Sequence, residues 1–129
     1  MYLIDTDHII DYLKGKEGTV NLLQSLFSEG LYISIISVAE IYEGIEGSKN
    51  KQRTEESFED FLEGAIVLSI NKEVCKKFGE IRNDLRKRGE LIGDFDILIA
   101  STAITSNLQI ITDNKSHFSK IKEARIWKG

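Results

Sequence analysis

The chain has 129 residues, of which 41% are hydrophobic and 29% are charged, which is the composition of one ordinary globular domain rather than of a disordered chain. Its formal net charge of −4 argues against a protein that holds nucleic acid by bulk positive charge, but is compatible with one that reaches phosphates through bound metal ions. No apolar run is long enough to span a bilayer, no signal peptide is visible, and the single cysteine excludes an internal disulfide. These features favour a cytoplasmic protein.

The first predicted elements are a short strand and a helix that follows it directly. Residues 2–4 form an apolar run typical of a buried strand. The chain then turns polar at Asp5, Thr6 and Asp7 and enters a helical pattern that ends at Gly15. A strand that ends in an acid and leads into a helix places its carboxylate at the carboxyl edge of a sheet, which is where open α/β sheets bind ligands.

Predicted strands and helices alternate along the rest of the chain. Further strands are predicted at residues 31–35, 65–70, 109–112 and 124–127. Helical spacing predicts helices at residues 20–30, from 37 to about 47, around 58–64, at 71–89, at 94–104 and at 116–121, with a charged loop at 48–53. This alternation favours a single domain, residues 1–129, with a parallel sheet and helices on both of its faces.

Acidic residues stand at several places where a strand ends or a helix begins. These are Asp5, Glu40, Asp94, Asp96 and Asp113, the last followed by Asn114. In a parallel sheet such positions share the carboxyl side, so the side chains can cluster. The repulsion within a group of unpaired carboxylates is best relieved by a hard divalent cation such as Mg²⁺, which takes oxygen ligands. Mg²⁺ also keeps bound waters that can be activated to attack a phosphodiester.

Most of these residues also have an ordinary structural explanation. Ser37 and Glu40 fit a capping box, in which the carboxylate only bonds back to the start of its own helix. Asp94 fits a helix N-cap, and Asp113 with Asn114 fits a turn after a strand. On sequence alone, each of these explanations competes with a role in a metal site.

Asp5 and Asp96 are harder to explain structurally. Asp5 follows a buried strand with no turn glycine, and Asp96 lies in the first turn of an otherwise apolar helix. A lone charge in such a place is costly unless it is solvated or coordinated. The two histidines, His8 and His117, are too few and in context too exposed for a zinc site.

Neutral and basic side chains complete the candidate set. Thr6 and Thr112 either hydrogen-bond the carboxylates or a substrate phosphate, or are satisfied helix and strand hydroxyls. Arg82 and Arg86, one turn apart on the fifth predicted helix, either contact substrate phosphate or belong to a solvated face. Cys75 falls beside the apolar stripe of the same helix and is predicted to be a small core residue.

Taken together, these motifs resemble the PIN-domain family, and within it the VapC-type toxins of prokaryotic toxin–antitoxin pairs. The resemblance covers essentially the whole chain and rests on residues 3–7, 37–40, 93–100 and 112–114, together with Phe118. It implies a three-layer α/β/α sandwich around a parallel sheet and Mg²⁺- or Mn²⁺-dependent ribonuclease activity. By position, Asp5, Glu40 and Asp96 match the principal acidic residues of the family.

The resemblance leaves the remaining ligands open and implies binding partners. The fourth acidic position of the family falls on Asn114, which cannot supply a charge, with Asp113 one residue earlier. Asp94 falls at a variable position, where it either adds a ligand or only caps the helix. The resemblance also implies an RNA substrate, a homodimer and a cognate antitoxin that blocks the active site.

Two alternative functions compete with this one. The run Asp5-Thr6-Asp7 also resembles the nucleophile motif of haloacid-dehalogenase-type phosphatases, but Ile9 and Leu98 stand where that family has Thr or Val and an acid, respectively. A non-catalytic PIN-like module that binds RNA or protein would be expected to lack a principal acid, and none is missing.

Overall fold

In the computed structural model, which describes residues 1–129, a four-stranded parallel sheet forms the centre of the molecule. Its strands are β1 (Tyr2–Ile4), β2 (Leu31–Ser34), β3 (Ile66–Leu68) and β4 (Gln109–Ile111). They lie in the order β3-β2-β1-β4, and each neighbouring pair is parallel, as predicted.

Seven helices cover the two faces of this sheet. They are α1 (Thr6–Leu13), α2 (Glu17–Leu26), α3 (Ile35–Glu46), α4 (Lys51–Glu63), α5 (Lys72–Lys87), α6 (Asp94–Thr105) and α7 (Lys115–Phe118). Helices α1 to α4 pack on one face and α5 to α7 on the other. The predicted three-layer α/β/α sandwich is therefore confirmed. None of the helices combines the length and the apolar character that crossing a membrane requires.

The core consists of two apolar clusters separated by the sheet. Successive residues of a strand point to opposite faces, so Leu3 packs with α5 and α6, while Ile4 packs with α1 to α4. In the same way Ile110 and Ile111 on β4 divide between the two clusters. Helix α6 is apolar almost all round and contributes six buried residues, as expected of a helix enclosed between the sheet and α5.

Helix α5 begins and ends at residues that favour helix ends, an asparagine before its first turn and a glycine after its last. The Asn71 side chain accepts a hydrogen bond from the Val74 N–H at 2.9 Å and caps the helix as predicted. At the other end Gly89 adopts a φ of +68°, which favours glycine, and the Glu90 N–H donates to the Leu85 carbonyl at 2.8 Å.

Three predictions for local structure were wrong. The last strand is reduced to one parallel bridge between Ile110 and Ile126, because the chain meets the sheet edge only there. Helix α4 begins at Lys51, inside the predicted charged loop, since its charged residues face solvent and only Phe58 and Phe61 are fully buried. Cys75 is exposed, because it lies on the solvent side of the apolar stripe of α5.

The strand order reverses between β1 and β4. From β1 the chain moves outward to β2 and β3, and then crosses back to place β4 on the other side of β1. Ligands in open α/β sheets bind outside the carboxyl ends of the strands at such a reversal. Asp5 follows β1 and Thr112 follows β4, so both residues stand at this point.

Candidate active site

Asp5 lies at the centre of the candidate site and is only 4% exposed. It caps α1, since its Oδ1 accepts the Thr6 N–H at 2.8 Å, while Oδ2 accepts the Thr112 hydroxyl at 2.6 Å. Burial raises the pKa of Asp5 above 3.8, and the charges of Asp96 and Asp7 raise it further, against the two hydrogen bonds, which lower it. No lysine or arginine pairs with this carboxylate, so a buried negative charge is left without a cation.

Glu40 joins the site through the Thr6 hydroxyl. The Thr6 Oγ1 lies 2.7 Å from Glu40 Oε1 and 2.8 Å from Ser37 Oγ. The capping-box explanation of Glu40 is wrong, because α3 begins earlier than predicted and is capped by Ser34, whose hydroxyl oxygen accepts the Ile36 N–H at 3.1 Å. Glu40 therefore lies in the second turn of α3, and its side chain contacts the start of α1.

Asp96 joins the site from α6. Its Oδ2 lies 2.8 Å from His117 Nδ1 and 3.4 Å from the Asn114 side-chain nitrogen. The Asn114 backbone N–H donates to Thr112 Oγ1 at 2.8 Å, and Thr112 in turn donates to Asp5. A chain of hydrogen bonds thus connects the carboxylates of Asp5 and Asp96 through the segment that follows β4.

Asp94 and the two arginines form contacts that do not include Asp5, Glu40 or Asp96. Asp94 is the first residue of α6 rather than its N-cap, a position that Gly93 occupies, so the N-cap explanation is wrong. Its Oδ1 accepts a hydrogen bond from Arg82 Nε at 2.9 Å. Arg86 donates to the Asn83 side chain at 2.9 Å and is otherwise exposed.

Asp113 stands apart from this network. Its side chain is 67% exposed, and its Oδ2 lies 3.9 Å from His8 Nδ1. The turn explanation of the Asp113–Asn114 pair agrees with the hydrogen bond from the Asn114 N–H back to Thr112. His8, which was expected to be exposed, is 8% exposed, and its Nδ1 has no hydrogen-bond partner.

The donor chemistry of the site fits a hard divalent cation. No three histidine, cysteine, aspartate or glutamate side chains stand together as a ready-made metal site. Mg²⁺, however, is held by as few as one or two carboxylates and keeps several waters. The unpaired, buried carboxylate of Asp5, repelled by Asp96 and Asp7, is a donor that such a cation would stabilise. The residues therefore fit Mg²⁺ or Mn²⁺ bound through few direct protein ligands.

Two residues at the site were missed by the sequence analysis. Ser37 was considered only as a helix cap, whereas it is fully buried against Thr6. His117 was considered only as a zinc ligand, whereas it contacts Asp96. The available signal for His117 was its spacing, three residues after Asn114 and therefore on the same side of a helical turn.

Comparison with known proteins identifies the family. The family model of the PIN domain matches residues 2–124. The chain belongs to the PIN-domain family. Ribonuclease VapC1 of Methanocaldococcus jannaschii is 40% identical over 121 residues, which cover 94% of this chain and 81% of the relative. Ribonuclease VapC1 of Haemophilus influenzae (strain R2866) is 32% identical over 125 residues, which cover 95% of this chain and 93% of the relative.

Solved structures of PIN-domain relatives share this fold. A chain of the VapBC2 complex from Rickettsia felis, solved with a promoter DNA fragment, matches with a TM-score of 0.90 and 28% identity over 98% of both chains. A chain of the DNA-bound VapBC complex from Salmonella typhimurium also gives a TM-score of 0.90 at 28% identity, over 98% of this chain and 96% of that one. These PIN-domain matches give no support to the phosphatase alternative, and Asp7, the second acid of that motif, is exposed.

Proposed function

We propose that this PIN-domain chain is an endoribonuclease, the toxin of a type II toxin–antitoxin pair. The observation that carries the proposal is the carboxylate of Asp5, which is buried near Asp96 and has no lysine or arginine partner. It lies where the order of the strands reverses, between β1 and β4. The relatives named VapC ribonucleases and the VapBC complexes support the same function. The substrate class is RNA, and the proposed location is the cytoplasm.

Asp5, Glu40 and Asp96 would hold Mg²⁺ or Mn²⁺, and Asp94 and Asp113 are the further candidate ligands. A bound divalent cation supplies positive charge that polarises a phosphate and makes a bound water more acidic. Glu40 Oε2 and Asp96 Oδ1 receive no hydrogen bond from the protein, so each carboxylate has an oxygen available for a ligand.

The surrounding residues hold these carboxylates in place. Thr112 and the Thr6 N–H fix Asp5, and the Thr6 hydroxyl fixes Glu40. The Arg82 guanidinium is paired with Asp94, whereas Arg86 has no acidic partner and is the freer of the two to contact a substrate phosphate. Preorganised side chains of this kind stabilise a transition state without reorganising during the reaction.

The proposed antitoxin would bind a groove between α1, α3 and α4. This groove has a volume of about 540 Å³, and four of its eleven lining residues are apolar, among them Ile10 and Ile41, while Gly44 and polar residues such as Arg53 line the rest. An apolar segment of the antitoxin would lie here and direct an arginine at the acidic site, since the planar guanidinium pairs with carboxylates in two hydrogen bonds. We also expect a homodimer, because two-fold pairing is the commonest form of oligomer.

Cleavage of RNA by the purified chain tests the catalytic proposal. Cleavage should require Mg²⁺ or Mn²⁺, stop in excess EDTA, and be lost in Asp5→Asn and Asp96→Asn proteins that remain folded. Asp60→Asn on the exposed surface of α4 is the matched control and should cleave normally. Undiminished cleavage by Asp5→Asn protein in EDTA would refute the roles of residue and metal, whereas RNA binding without cleavage would indicate a non-catalytic module. Mapping the cleaved transcripts would identify the target.

Growth of cells that express the chain tests the toxin proposal. Expression of the wild-type chain alone should slow growth, and co-expression of the neighbouring reading frame should restore it. The Asp5→Asn chain serves as the inactive control. Normal growth with abundant, folded, metal-competent protein and no partner present would contradict the toxin proposal and leave a housekeeping nuclease.

A further inference from the structure

His117 makes the shortest side-chain contact to Asp96 and has no role in the function proposed above. Its Nδ1 lies 2.8 Å from Asp96 Oδ2, and the two side chains are 41% and 24% exposed. An ionised carboxylate oxygen only accepts hydrogen bonds, so a hydrogen bond to Asp96 requires a proton on Nδ1. With that tautomer the Asn114 side-chain amide, whose nitrogen lies 2.9 Å from Nδ1, donates to Asp96 Oδ2 and not to the ring. A neutral imidazole can carry that proton on Nδ1, so the contact does not depend on a second proton at Nε2.

The position of His117 is itself fixed by the segment that holds Asp5. Thr112, Asn114 and His117 follow β4 within six residues, and the Asn114 side-chain nitrogen and His117 Nδ1 lie 3.4 Å and 2.8 Å from the same oxygen, Asp96 Oδ2. Thr112 accepts the Asn114 N–H and donates to Asp5. One segment therefore holds both a carboxylate at the end of β1 and a carboxylate at the start of α6.

We propose that His117 is a positioning residue for Asp96. Its Nδ1–H holds Asp96 Oδ2 and so fixes the carboxylate, whose other oxygen, Oδ1, has no protein partner and is available to a ligand. This proposal rests on the metal-dependent function stated above and assigns His117 an action on Asp96 rather than on the metal or the RNA. Groups that hydrogen-bond a metal-ligating carboxylate usually change metal affinity or activity by about 10–100-fold when removed.

The geometry of the contact gives a selective test. An asparagine at position 117 carries its side-chain NH₂ one bond from Cγ, as histidine carries Nδ1, whereas a glutamine places its NH₂ near the position of Nε2. His117→Asn should therefore retain the hydrogen bond to Asp96, and His117→Gln should lose it. His117→Ala removes it outright, and Ser116→Ala, the adjacent exposed residue of α7, is the matched control.

The decisive measurement is Mn²⁺ binding by calorimetry to the full chain, together with denaturant unfolding without metal. His117→Ala and His117→Gln should weaken Mn²⁺ binding by about 10–100-fold, while His117→Asn and Ser116→Ala bind nearly as wild type and all variants remain folded. In metal-free wild type, nitrogen NMR of the His117 ring should show a proton on Nδ1. The Mn²⁺ concentration needed for half-maximal cleavage should likewise rise for His117→Ala and His117→Gln and stay near the wild-type value for His117→Asn and Ser116→Ala.

Several outcomes would overturn the proposal while leaving the proposed function intact. These are unchanged or tighter Mn²⁺ binding by folded His117→Ala, equal rescue by glutamine and asparagine, or a ring protonated only on Nε2. Wild-type protein that cleaves RNA in EDTA would instead overturn the metal-dependent function and, with it, the role of His117.

Discussion

Thr112 donates a hydrogen bond to the buried carboxylate of Asp5, and replacing Thr112 by valine should show how much this bond stabilises the charge. Valine keeps the shape of threonine but removes the hydroxyl that donates to Asp5 Oδ2 at 2.6 Å and accepts the Asn114 N–H at 2.8 Å. A hydrogen bond to a charged group contributes about 1.5–3 kcal/mol and a neutral one about 0.5–1.5 kcal/mol. Thr112→Val should therefore lower the free energy of unfolding of the metal-free protein by about 2–4.5 kcal/mol near neutral pH.

The pH dependence of that loss identifies its source. Burial raises the pKa of Asp5 above its ordinary value of 3.8, so the contribution of Asp5 to stability is fully present below pH 3.8 and is lost as the pH rises through the folded pKa. The Thr112 hydroxyl opposes this shift, because it stabilises the ionised form. The cost of Thr112→Val should thus be largest above the folded pKa and shrink as Asp5 becomes protonated.

Denaturant unfolding of four proteins measures the effect: wild type, Thr112→Val, Asp5→Asn and the double variant. The coupling between the two positions should be about 1–1.5 kcal/mol, the excess of a charge-assisted hydrogen bond over a neutral one. Thr102→Val is the matched control, because the buried Thr102 hydroxyl donates at 2.8 Å only to the Leu98 carbonyl of its own helix. A cost that is independent of pH, or that is unchanged in the Asp5→Asn background, would refute the reasoning.

Four further predictions concern stability and the partner. Asp5→Asn removes a buried charge, so it should raise the free energy of unfolding of the metal-free protein at neutral pH, and this gain should disappear below pH 3.8. Denaturant unfolding curves at both pH values check this. Phe58→Ala should cost about 3–5 kcal/mol, because the fully buried ring leaves a cavity, as thermal or denaturant unfolding would show. Asn71→Ala should cost about 1 kcal/mol through loss of the cap on the Val74 N–H, and a glycine at the same position should recover most of it. Gly44→Phe should leave folding and cleavage intact, since an added Cβ meets nothing within 4 Å, but should fill the groove and abolish rescue by the antitoxin in the growth assay.

Much of the fold could be predicted because its determinants are local. The apolar run at residues 2–4 and the helical stripe of α5 each show their periodicity within a few residues. The cap at Asn71 and the glycine end at Gly89 depend on neighbours three to five residues away. The last strand was over-predicted, because the same apolar pattern does not say how far the chain runs along the edge of the sheet.

Glu40 shows where local reasoning fails. Serine followed three residues later by glutamate fits a capping box, and that pattern located the helix start at Ser37. The helix instead begins after Ser34, and the carboxylate contacts Thr6, which is 34 residues away in sequence. Both serines are able to cap a helix, and the choice between them depends on where strand β2 ends.

The sequence by itself determined the alternation of strands and helices, the acids at the carboxyl ends and the family resemblance. Only the tertiary structure decided which of those acids are linked by hydrogen bonds and which lie apart. Asp94 and Asp96 are two residues apart on α6 and so point about 200° apart around the helix axis. One pairs with Arg82 on α5 and the other with His117 on α7, and neither partner can be read from the motif. The packing of the buried face of α6 against the core fixes the rotation of this helix about its own axis. That rotation determines which partner each aspartate meets.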